Sequence, residues 1–331
     1  MPTAVDRCLA DLDRNAPDAL AAADALAAER KAAGDAEGAR RIEERCLAIR
    51  RRTLGENAPE TLSTAGNLAR SLAALGDLRG ARRLEEDVLD ATRKALGDEH
   101  PDTLTAMNNL AGTLKALGDR RTARRLEETA LAARRRSLGD EHPDTLTAMN
   151  NLATTLWQLG DAPAALALQQ AVVDTRRRVL PADHPDTLTA LANLATMHWQ
   201  QGDRETTRAL QQTVLDGRRR QFGDEHPATL RAMNNLAATL WQTGDGDGAR
   251  ELQQAVVDIR ARQFGDSHPD TMLAAWNLIN TLLHRNENEL AGELLKRHLV
   301  PLMLAEPDGL DAELRRVRER LLVEAVRLLP R

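Results

Sequence analysis

The stretch GDEHPDTLTAMNNLA occupies residues 97–111, and the same fifteen letters recur without change at residues 139–153. Parts of this stretch return at the same interval of 42 residues along most of the chain. Its proline recurs at Pro17, Pro59, Pro101, Pro143, Pro185, Pro227 and Pro269. A Gly-Asp pair follows within each unit except the seventh, where Asn286 and Glu287 take its place. This period predicts a tandem array of seven units.

Each unit is predicted to form two helices joined at the Gly-Asp pair. In the unit that begins at Pro101, apolar residues recur at the three- and four-residue intervals of an amphipathic helix, which we name helix A. They are Leu104, Met107, Leu110, Ala111 and Leu114. Proline suits the first turn of helix A, and Gly118 suits its end. A second helix, helix B, is predicted to begin after Asp119, which is a good N-cap residue.

Copies of this hairpin are predicted to stack, because a single helical hairpin cannot bury its own apolar face. The sequence therefore predicts an all-α fold, a right-handed α-solenoid of seven helical hairpins over residues 17–306. Residues 1–14 are predicted to form an N-terminal capping helix, and residues 307–331 a C-terminal capping helix. Pro301 is expected to kink or end the seventh helix B.

The composition favours a folded protein and argues against several classes of partner. The chain of 331 residues is 42% hydrophobic and 29% charged, with a formal net charge of -5. This charge predicts no nucleic-acid partner and no membrane partner, and no apolar stretch is long enough to span a bilayer. Two cysteines are too few for a disulfide framework. Charged residues near the N-terminus argue against a signal peptide, so a cytoplasmic protein is expected, and the bias toward arginine and alanine indicates a bacterial source.

The Gly-Asp turn, the HPDT block before NNLA and an alanine early in helix B resemble the tetratricopeptide repeat family. The alanines are Ala81, Ala123, Ala165 and Ala249. The 42-residue form is similar to the repeats of kinesin light chain and of bacterial proteins that share them. The resemblance implies a right-handed superhelix whose concave surface, lined by the A helices, binds peptides or partner proteins. The chain has no tyrosine, the aromatic residue that many shorter repeats of the family carry mid-helix, so the family's cargo preference is not carried over.

One asparagine of the NNLA block recurs on helix A, at Asn67, Asn109, Asn151, Asn193, Asn235 and Asn277. On a helical wheel Asn109 lies about 150° from the centre of the apolar stripe, so the row is predicted to face away from the core. Asparagine costs a helix interior roughly 0.5 kcal/mol relative to alanine, which indicates that some interaction favours it. A carboxamide both donates and accepts, so the row is predicted to hold the backbone of an extended peptide. Alternatively, each asparagine bonds to a neighbouring helix or persists from recent duplication.

Other polar and aromatic side chains are predicted to complete this peptide-binding surface. They are Thr113, Thr155, Thr239, Gln158, Gln200, Gln242, Trp157, Trp199 and Trp241. The tryptophans have a second interpretation, which is packing between neighbouring A helices. Asn108, Asn150 and Asn234 lie nearer the edge of the core and are predicted to be structural.

Two further periodic features have structural interpretations. The histidines before the prolines are predicted to cap or pack helix A, since equivalent residues of stacked repeats lie about 8–10 Å apart, too far to share a metal ion. They are His100, His142, His184, His226 and His268. Arginine runs end four B helices, at residues 50–52, 134–136, 176–178 and 218–220. Acidic loops follow several of these runs, which predicts a solvated and self-neutralised face.

The sequence contains no catalytic, metal-binding or cofactor-binding motif, so no enzymatic activity is predicted. The predicted function is that of a non-enzymatic scaffold that binds a protein or peptide partner, with no cofactor and no metal. Two alternatives stay open. The chain is a regulatory or sensor subunit of a separate effector enzyme, or it self-associates into a larger structure.

Overall fold

The computed structural model describes residues 3–14, 18–306, 310 and 312–328, and within residues 312–328 the side chains of 314–322. Pro17, which opens the first predicted unit, lies outside the described residues, as do several residues of the predicted C-terminal segment. Every regular element within the described ranges is helical. Among these helices, none combines the length and the apolar character needed to cross a bilayer.

A short helix, α1 (Ala4–Asp13), precedes seven consecutive helical hairpins in the described part of the chain. The first six hairpins pair α2 (Ala19–Ala32) with α3 (Ala36–Thr53), α4 (Pro59–Ala74) with α5 (Leu78–Leu96), α6 (Pro101–Ala116) with α7 (Arg120–Leu138), α8 (Pro143–Gln158) with α9 (Ala162–Val179), α10 (Pro185–Gln201) with α11 (Arg204–Phe222), and α12 (Pro227–Gln242) with α13 (Gly246–Phe264). The seventh comprises α14 (Pro269–His284), α15 (Asn288–Leu294), a π-helical turn (Leu295–Leu299) and α16 (Val300–Leu304), and α17 (Ala312–Leu328) follows.

The boundaries of the helices have local causes. At the start of α8, Nδ1 of His142 accepts a hydrogen bond from the backbone N–H of Asp144 at 3.2 Å, and a proline occupies the first turn. Helix α7 begins where the carboxylate of Asp119 accepts from the backbone N–H of Thr122 at 3.1 Å. Between the two helices of that hairpin, Gly118 has a φ of +89°, a conformation that favours glycine. The predicted proline, Gly-Asp and histidine signals therefore mark the helix ends.

The helices form two compact units, Met1–Val172 and Val173–Arg331, and each is held by apolar side chains of the A and B helices. In the first unit, Leu104 and Met107 of α6 belong to a buried cluster with Leu89 of α5 and Ala130 of α7. In the second unit the fully buried side chains include Leu188, Leu191, Leu215, Leu230, Met233 and Leu236. Consecutive helices within a unit pack against each other, so α6 contacts both α5 and α7. The tandem all-α architecture of an α-solenoid is confirmed.

Helix α1 covers the apolar side of the first hairpin. Thr3 and Asp6 form a reciprocal capping box at its start. Val5 and Leu12 are buried in one cluster with Ala23 of α2 and other residues of the first hairpin. A helix that contributes one apolar side and leaves its other side charged is suited to the end of a stack.

The seventh helix B does not end at Pro301. A π-helical turn at Leu295–Leu299 immediately precedes this proline, and the helix continues to Leu304. Proline cannot donate the backbone hydrogen bond of an α-helix, and a π turn is one of the ways in which a helix accommodates the missing bond. After it, α17 packs against α14 and α15 and buries Leu314, Val317 and Leu321.

Candidate functional site

The asparagine row lies on the A helices with its side chains at least partly open to solvent. Asn67, Asn109, Asn151 and Asn193 are half-buried, and Asn235 and Asn277 are exposed. The Asn67 side-chain oxygen accepts from the guanidinium of Arg70 one turn later. Within the described residues, the carboxamides of Asn109, Asn151, Asn235 and Asn277 form no hydrogen bond. A bond to a neighbouring helix therefore does not explain these four asparagines.

The threonines predicted beside the asparagines are buried, which corrects that part of the prediction. The exposed fraction is 6% for Thr113 and 0% for both Thr155 and Thr239. The hydroxyl of Thr239 donates to the side-chain oxygen of Gln211 on α11 at 2.7 Å. An A helix contacts its own B helix and the B helix before it, so it is buried on two sides, and these threonines face the preceding B helix. Gln158, Gln200 and Gln242 are exposed on the A helices, as predicted.

The three tryptophans of the predicted surface are half-buried. The guanidinium of Arg204 lies over the Trp199 ring at 3.9 Å from its centroid. The Trp241 ring meets the ring of His284 on α14 edge-on, with 5.6 Å between centroids. The rings of Trp199 and Trp241 are thus each packed against a neighbouring side chain, and Trp241 also borders an open cleft. The peptide-binding role of the tryptophans stays a prediction.

The histidines before the prolines cap the A helices, which confirms the predicted role. In each of the five, Nδ1 accepts from the backbone N–H two residues later, at 3.1 or 3.2 Å. This bond satisfies one of the free N–H groups at the start of the helix.

The arginine runs divide between surface and interior. Arg135 pairs with Asp140 at 2.7 Å, and Arg136 pairs with Glu99 at 2.6 Å, which confirms self-neutralisation by the acidic loops. The first arginine of a run behaves differently, since Arg134 is 7% exposed and Arg176 is 6% exposed. The prediction of a fully solvated face is wrong for this position, because successive residues of a helix point about 100° apart and the three arginines of a run cannot all face solvent.

A row of glutamates and glutamines on the B helices, buried in the first four hairpins and half-buried in the next two, was not predicted from the sequence. It comprises Glu43, Glu85, Glu127, Gln169, Gln211 and Gln253, which recur at the 42-residue period. Glu43 and Glu127 are 3% and 1% exposed and accept from Lys31 at 2.7 Å and Lys115 at 2.8 Å. The 42-residue period could have revealed them, because one position of helix B carries only glutamate or glutamine in each of the first six hairpins.

Glu85 is the member of this row that lacks a lysine. The place of Lys31 and Lys115 is taken by Ala73 in the hairpin of Glu85. Burial raises the pKa of the Glu85 carboxyl above its ordinary value, and the hydroxyl of Thr113 and the charge of Arg70 offset this only in part. The second hairpin therefore contains a buried carboxyl without the cation that its neighbours supply.

Two clefts bring members of the predicted surface together. The first has a volume of about 540 Å³ in the unit Met1–Val172 and contains Asn67 and Asn109 in its wall, with Leu62, Val88 and Leu96 among its apolar residues. Its volume falls within the roughly 300–1,000 Å³ typical of ligand sites.

The second cleft has a volume of about 290 Å³ in the unit Val173–Arg331. Trp241, Gln242 and Asn277 of the predicted set line it together with Asn234 and Asn280. Its polar lining is rich in carboxamides, which bind uncharged donors and acceptors such as peptide groups. Of the predicted set, Asn67, Asn109, Asn277, Gln242 and Trp241 border one of these two clefts. The predicted Thr113, Thr155 and Thr239 line neither of them.

Two sequence models of the tetratricopeptide repeat match most of the chain. One matches residues 20–60, 61–102, 103–144, 145–186 and 229–270, and the other matches residues 186–247. Among curated proteins, none matches this chain.

Several solved structures are similar to the chain. Two structures of a putative kinesin light chain from Podosopora anserina with nearly identical TPR-like repeats are 28% identical to this chain and cover 62% of it. One has a TM-score of 0.56 and is covered over 97% of its own length, and the other has a TM-score of 0.55 and is covered over 98%. BtubC (BKLC) from P. vanneervenii is 20% identical, with a TM-score of 0.57, covering 81% of this chain and 95% of its own. A signal transduction ATPase with a tetratricopeptide repeat sensor from Pyrococcus horikoshii is 13% identical, with a TM-score of 0.65, over 96% of this chain and 44% of its own. The latter two likenesses concern the fold alone.

Proposed function

Since this chain belongs to the tetratricopeptide repeat family, we propose that it is a scaffold whose asparagine row holds an extended segment of a partner protein. Proteins of this family are generally non-enzymatic scaffolds for protein–protein interaction, and the proposal extends that role to one surface of this chain. The proposed partner is a protein or peptide in the cytoplasm, bound without a metal or a cofactor.

The observation that carries the proposal is a set of accessible asparagine carboxamides without a partner in the described part of the protein. Asn109, Asn151, Asn235 and Asn277 are accessible and form no hydrogen bond among the residues that the structure describes. Their helix-propensity cost is therefore not offset by a bond within the protein. A ligand that bonds to both ends of each carboxamide would supply the missing interaction.

The chemistry of a peptide backbone fits this role. A carboxamide oxygen accepts from a peptide N–H, and its amino group donates to a peptide carbonyl, each bond contributing on the order of 1 kcal/mol. An extended strand rises about 3.3 Å per residue, so a segment of several residues is long enough to meet more than one asparagine within a unit. These hydrogen bonds recognise the peptide backbone, so selection among peptide sequences is left to the clefts beside the asparagines.

The test replaces the four unbonded asparagines together with alanine. A partner is first identified by cross-linking in a lysate, and its bound segment is then made as a synthetic peptide. We expect the variant to bind this peptide at least about tenfold more weakly, because several hydrogen bonds are lost at once. The melting temperature should stay the same or rise slightly, because alanine has the higher helix propensity.

A matched control places four alanines on the exposed side of the B helices, at Glu86, Glu128, Gln212 and Gln254. This control should bind the peptide as the unchanged protein does. A sharp fall in melting temperature in the asparagine variant, or unchanged peptide affinity, would contradict the proposal.

A further inference from the structure

One position on helix A and one on helix B of the same hairpin form a recurring polar pair. In the first hairpin, Asp24 on α2 forms an ion pair with Arg50 on α3 at 2.5 Å. In the third hairpin, the side-chain oxygen of Asn108 accepts from both terminal nitrogens of Arg134, when its amide is oriented toward the guanidinium. An arginine side chain thus fills the space between the two helices in both hairpins.

The same arginine position also reaches the first turn of the next helix A. Arg176 donates to the backbone carbonyl of Asp186 at 2.8 Å, and Arg260 forms an ion pair with the carboxylate of Asp270. Five of the first six B helices carry the arginine, at Arg50, Arg134, Arg176, Arg218 and Arg260. The position is therefore a place where the fold accommodates a guanidinium beside an aspartate.

The second hairpin lacks both members of the pair, although Asp102 is present in the first turn of the next helix A. Gly66 stands where the first and third hairpins carry Asp24 and Asn108, and Thr92 stands where they carry arginine. Gly66, Thr92 and Asp102 all line the cleft of about 540 Å³. A side-chain carbon placed on Gly66 would meet no atom within 4 Å, so the space beside it is open. The cleft occupies the region that an arginine fills in the neighbouring hairpins.

The charges around the cleft favour a cation inside it. The carboxylate of Asp102 lies 3.7 Å from Nδ1 of His100 and has no arginine like the one that Asp270 has. The same hairpin lacks the lysine that would face the buried Glu85. Arg70 also lines the cleft and its positive charge offsets one of the two carboxylates, while its guanidinium donates to the Asn67 side-chain oxygen. Compared with the third hairpin, this hairpin has lost two internal cations and gained one.

We infer that this cleft binds the side chain of an arginine carried by the partner segment. The guanidinium takes the place of the missing internal arginine beside Asp102, and its aliphatic stem lies on Val88 and Leu96, which line the same cleft. Asn109, whose carboxamide is unbonded, borders the cleft and holds the backbone beside the arginine. The inference rests on the proposed function in one point: the asparagine contacts to the backbone direct the partner segment across the cleft.

Arginine fits better than lysine because the neighbouring hairpins show which group the position accepts. Their occupant is a planar guanidinium that bonds to an aspartate carboxylate or an asparagine oxygen. A planar donor with several N–H groups can bond to the carboxylate and to carboxamide oxygens at the same time, whereas an ammonium is a point charge.

The experiment titrates the full chain with three blocked heptapeptides that differ at their central residue, which is arginine, lysine or citrulline, flanked by alanines. Calorimetry is expected to show the tightest binding for arginine and at least about tenfold weaker binding for citrulline, the uncharged analogue of the same shape. Asp102→Asn should weaken the arginine peptide by about tenfold. Asp144→Asn, at the corresponding position in the first turn of α8, where Arg134 of the preceding helix B already fills the space, is the matched control and should change nothing.

A second variant refills the cleft from within. Gly66→Asn combined with Thr92→Arg recreates the pair of Asn108 and Arg134, and it should abolish binding of the arginine peptide while raising the melting temperature. Equal affinity for arginine and citrulline, absence of binding at millimolar peptide, or unchanged affinity in a folded refilled variant would each overturn the inference.

These outcomes separate the inference from the proposed function. If the partner segment depends on the four asparagines but not on its arginine, the backbone role stands and the arginine site fails. If the arginine peptide binds to the cleft while the asparagine variant keeps its partner, the arginine site stands and the proposed row fails.

Discussion

The first and third hairpins differ from the fourth, fifth and sixth at two positions, one near the end of helix A and one on the facing side of helix B. In the former, Lys31 and Lys115 on the A helices reach buried glutamates on the B helices. In the latter, tryptophan and glutamine occupy these positions, and the side chain of Gln169 donates to Asn150 at 3.1 Å. A buried carboxylate requires a cation, whereas a buried carboxamide requires only hydrogen bonds.

The comparison shows that the two residues change together. Where the glutamate is present the lysine accompanies it, and where glutamine replaces the glutamate an aromatic residue covers the position. The second hairpin departs from both patterns, because it has Glu85 without a lysine or a tryptophan. The predictions below test whether this coupling is energetic.

Lys115→Ala should have the largest effect. It leaves the carboxylate of Glu127 buried without its cation, which is expected to lower the free energy of unfolding by about 3 kcal/mol. Urea unfolding followed by circular dichroism measures this change. Lys94→Ala removes an exposed lysine and serves as the control, with an expected change below about 0.5 kcal/mol. If the two variants unfold at the same urea concentration, the buried pair is not the important difference between the regions.

Glu85→Gln should stabilise the protein by about 1 kcal/mol at neutral pH, because it gives the second hairpin the uncharged residue of the later hairpins. The pKa of Glu85 is raised in the folded protein, so folding favours the protonated form. The penalty for the charge is absent below the ordinary glutamate value of 4.5 and develops as the pH rises through the raised pKa. The advantage of Glu85→Gln should therefore appear at pH 8 and vanish near pH 4 in thermal melts.

Ala73→Lys should also stabilise the protein at neutral pH, because it supplies Glu85 with the lysine that the first and third hairpins carry at this position. If neither substitution raises the melting temperature at pH 8, Glu85 is satisfied by other means and the second hairpin is not an exception.

Thr239→Val should have an effect similar in size to that of Glu85→Gln, a loss of about 1 kcal/mol, because the half-buried side chain of Gln211 loses its donor. Asn235→Ala changes an exposed residue one turn earlier and should stay within about 0.5 kcal/mol of the unchanged protein. Differential scanning calorimetry of the two variants compares the buried and exposed sides of one A helix. A larger loss in the asparagine variant would reverse the assignment of these sides.

The helix boundaries could be predicted from the sequence because their causes are local. Proline, glycine with positive φ and the capping histidine and aspartate act within a few residues of the helix end. The side of Thr113 was mispredicted because a wheel with one apolar stripe represents a helix with one packing neighbour, whereas an A helix between two B helices has two. The buried glutamates were missed because a charged residue on a helix suggests solvent, and their partners lie on other helices.

The candidate site was predicted in part for the same reason. The accessibility of Asn109 and Asn235 follows from their place on one helix, which the wheel describes. The cleft at Gly66 and Thr92 depends on two residues in different helices being small in the same hairpin, and that becomes visible only when corresponding positions of the repeats are compared in space.

The buried carboxylate of Glu43 illustrates a consequence for how such a chain grows by duplication. It accepts from Lys31 within its own hairpin and from the hydroxyl of Ser71 in the next one, at 2.6 Å. A duplicated unit that runs from one repeat proline to the next therefore contains both the lysine and the glutamate, but the hydroxyl that bonds to this glutamate comes from the unit that follows. Insertion of a new unit keeps this hydrogen bond only if the following unit carries serine or threonine at the position of Ser71. The junctions between units, more than the units themselves, therefore determine which rearrangements of this gene give a stable fold.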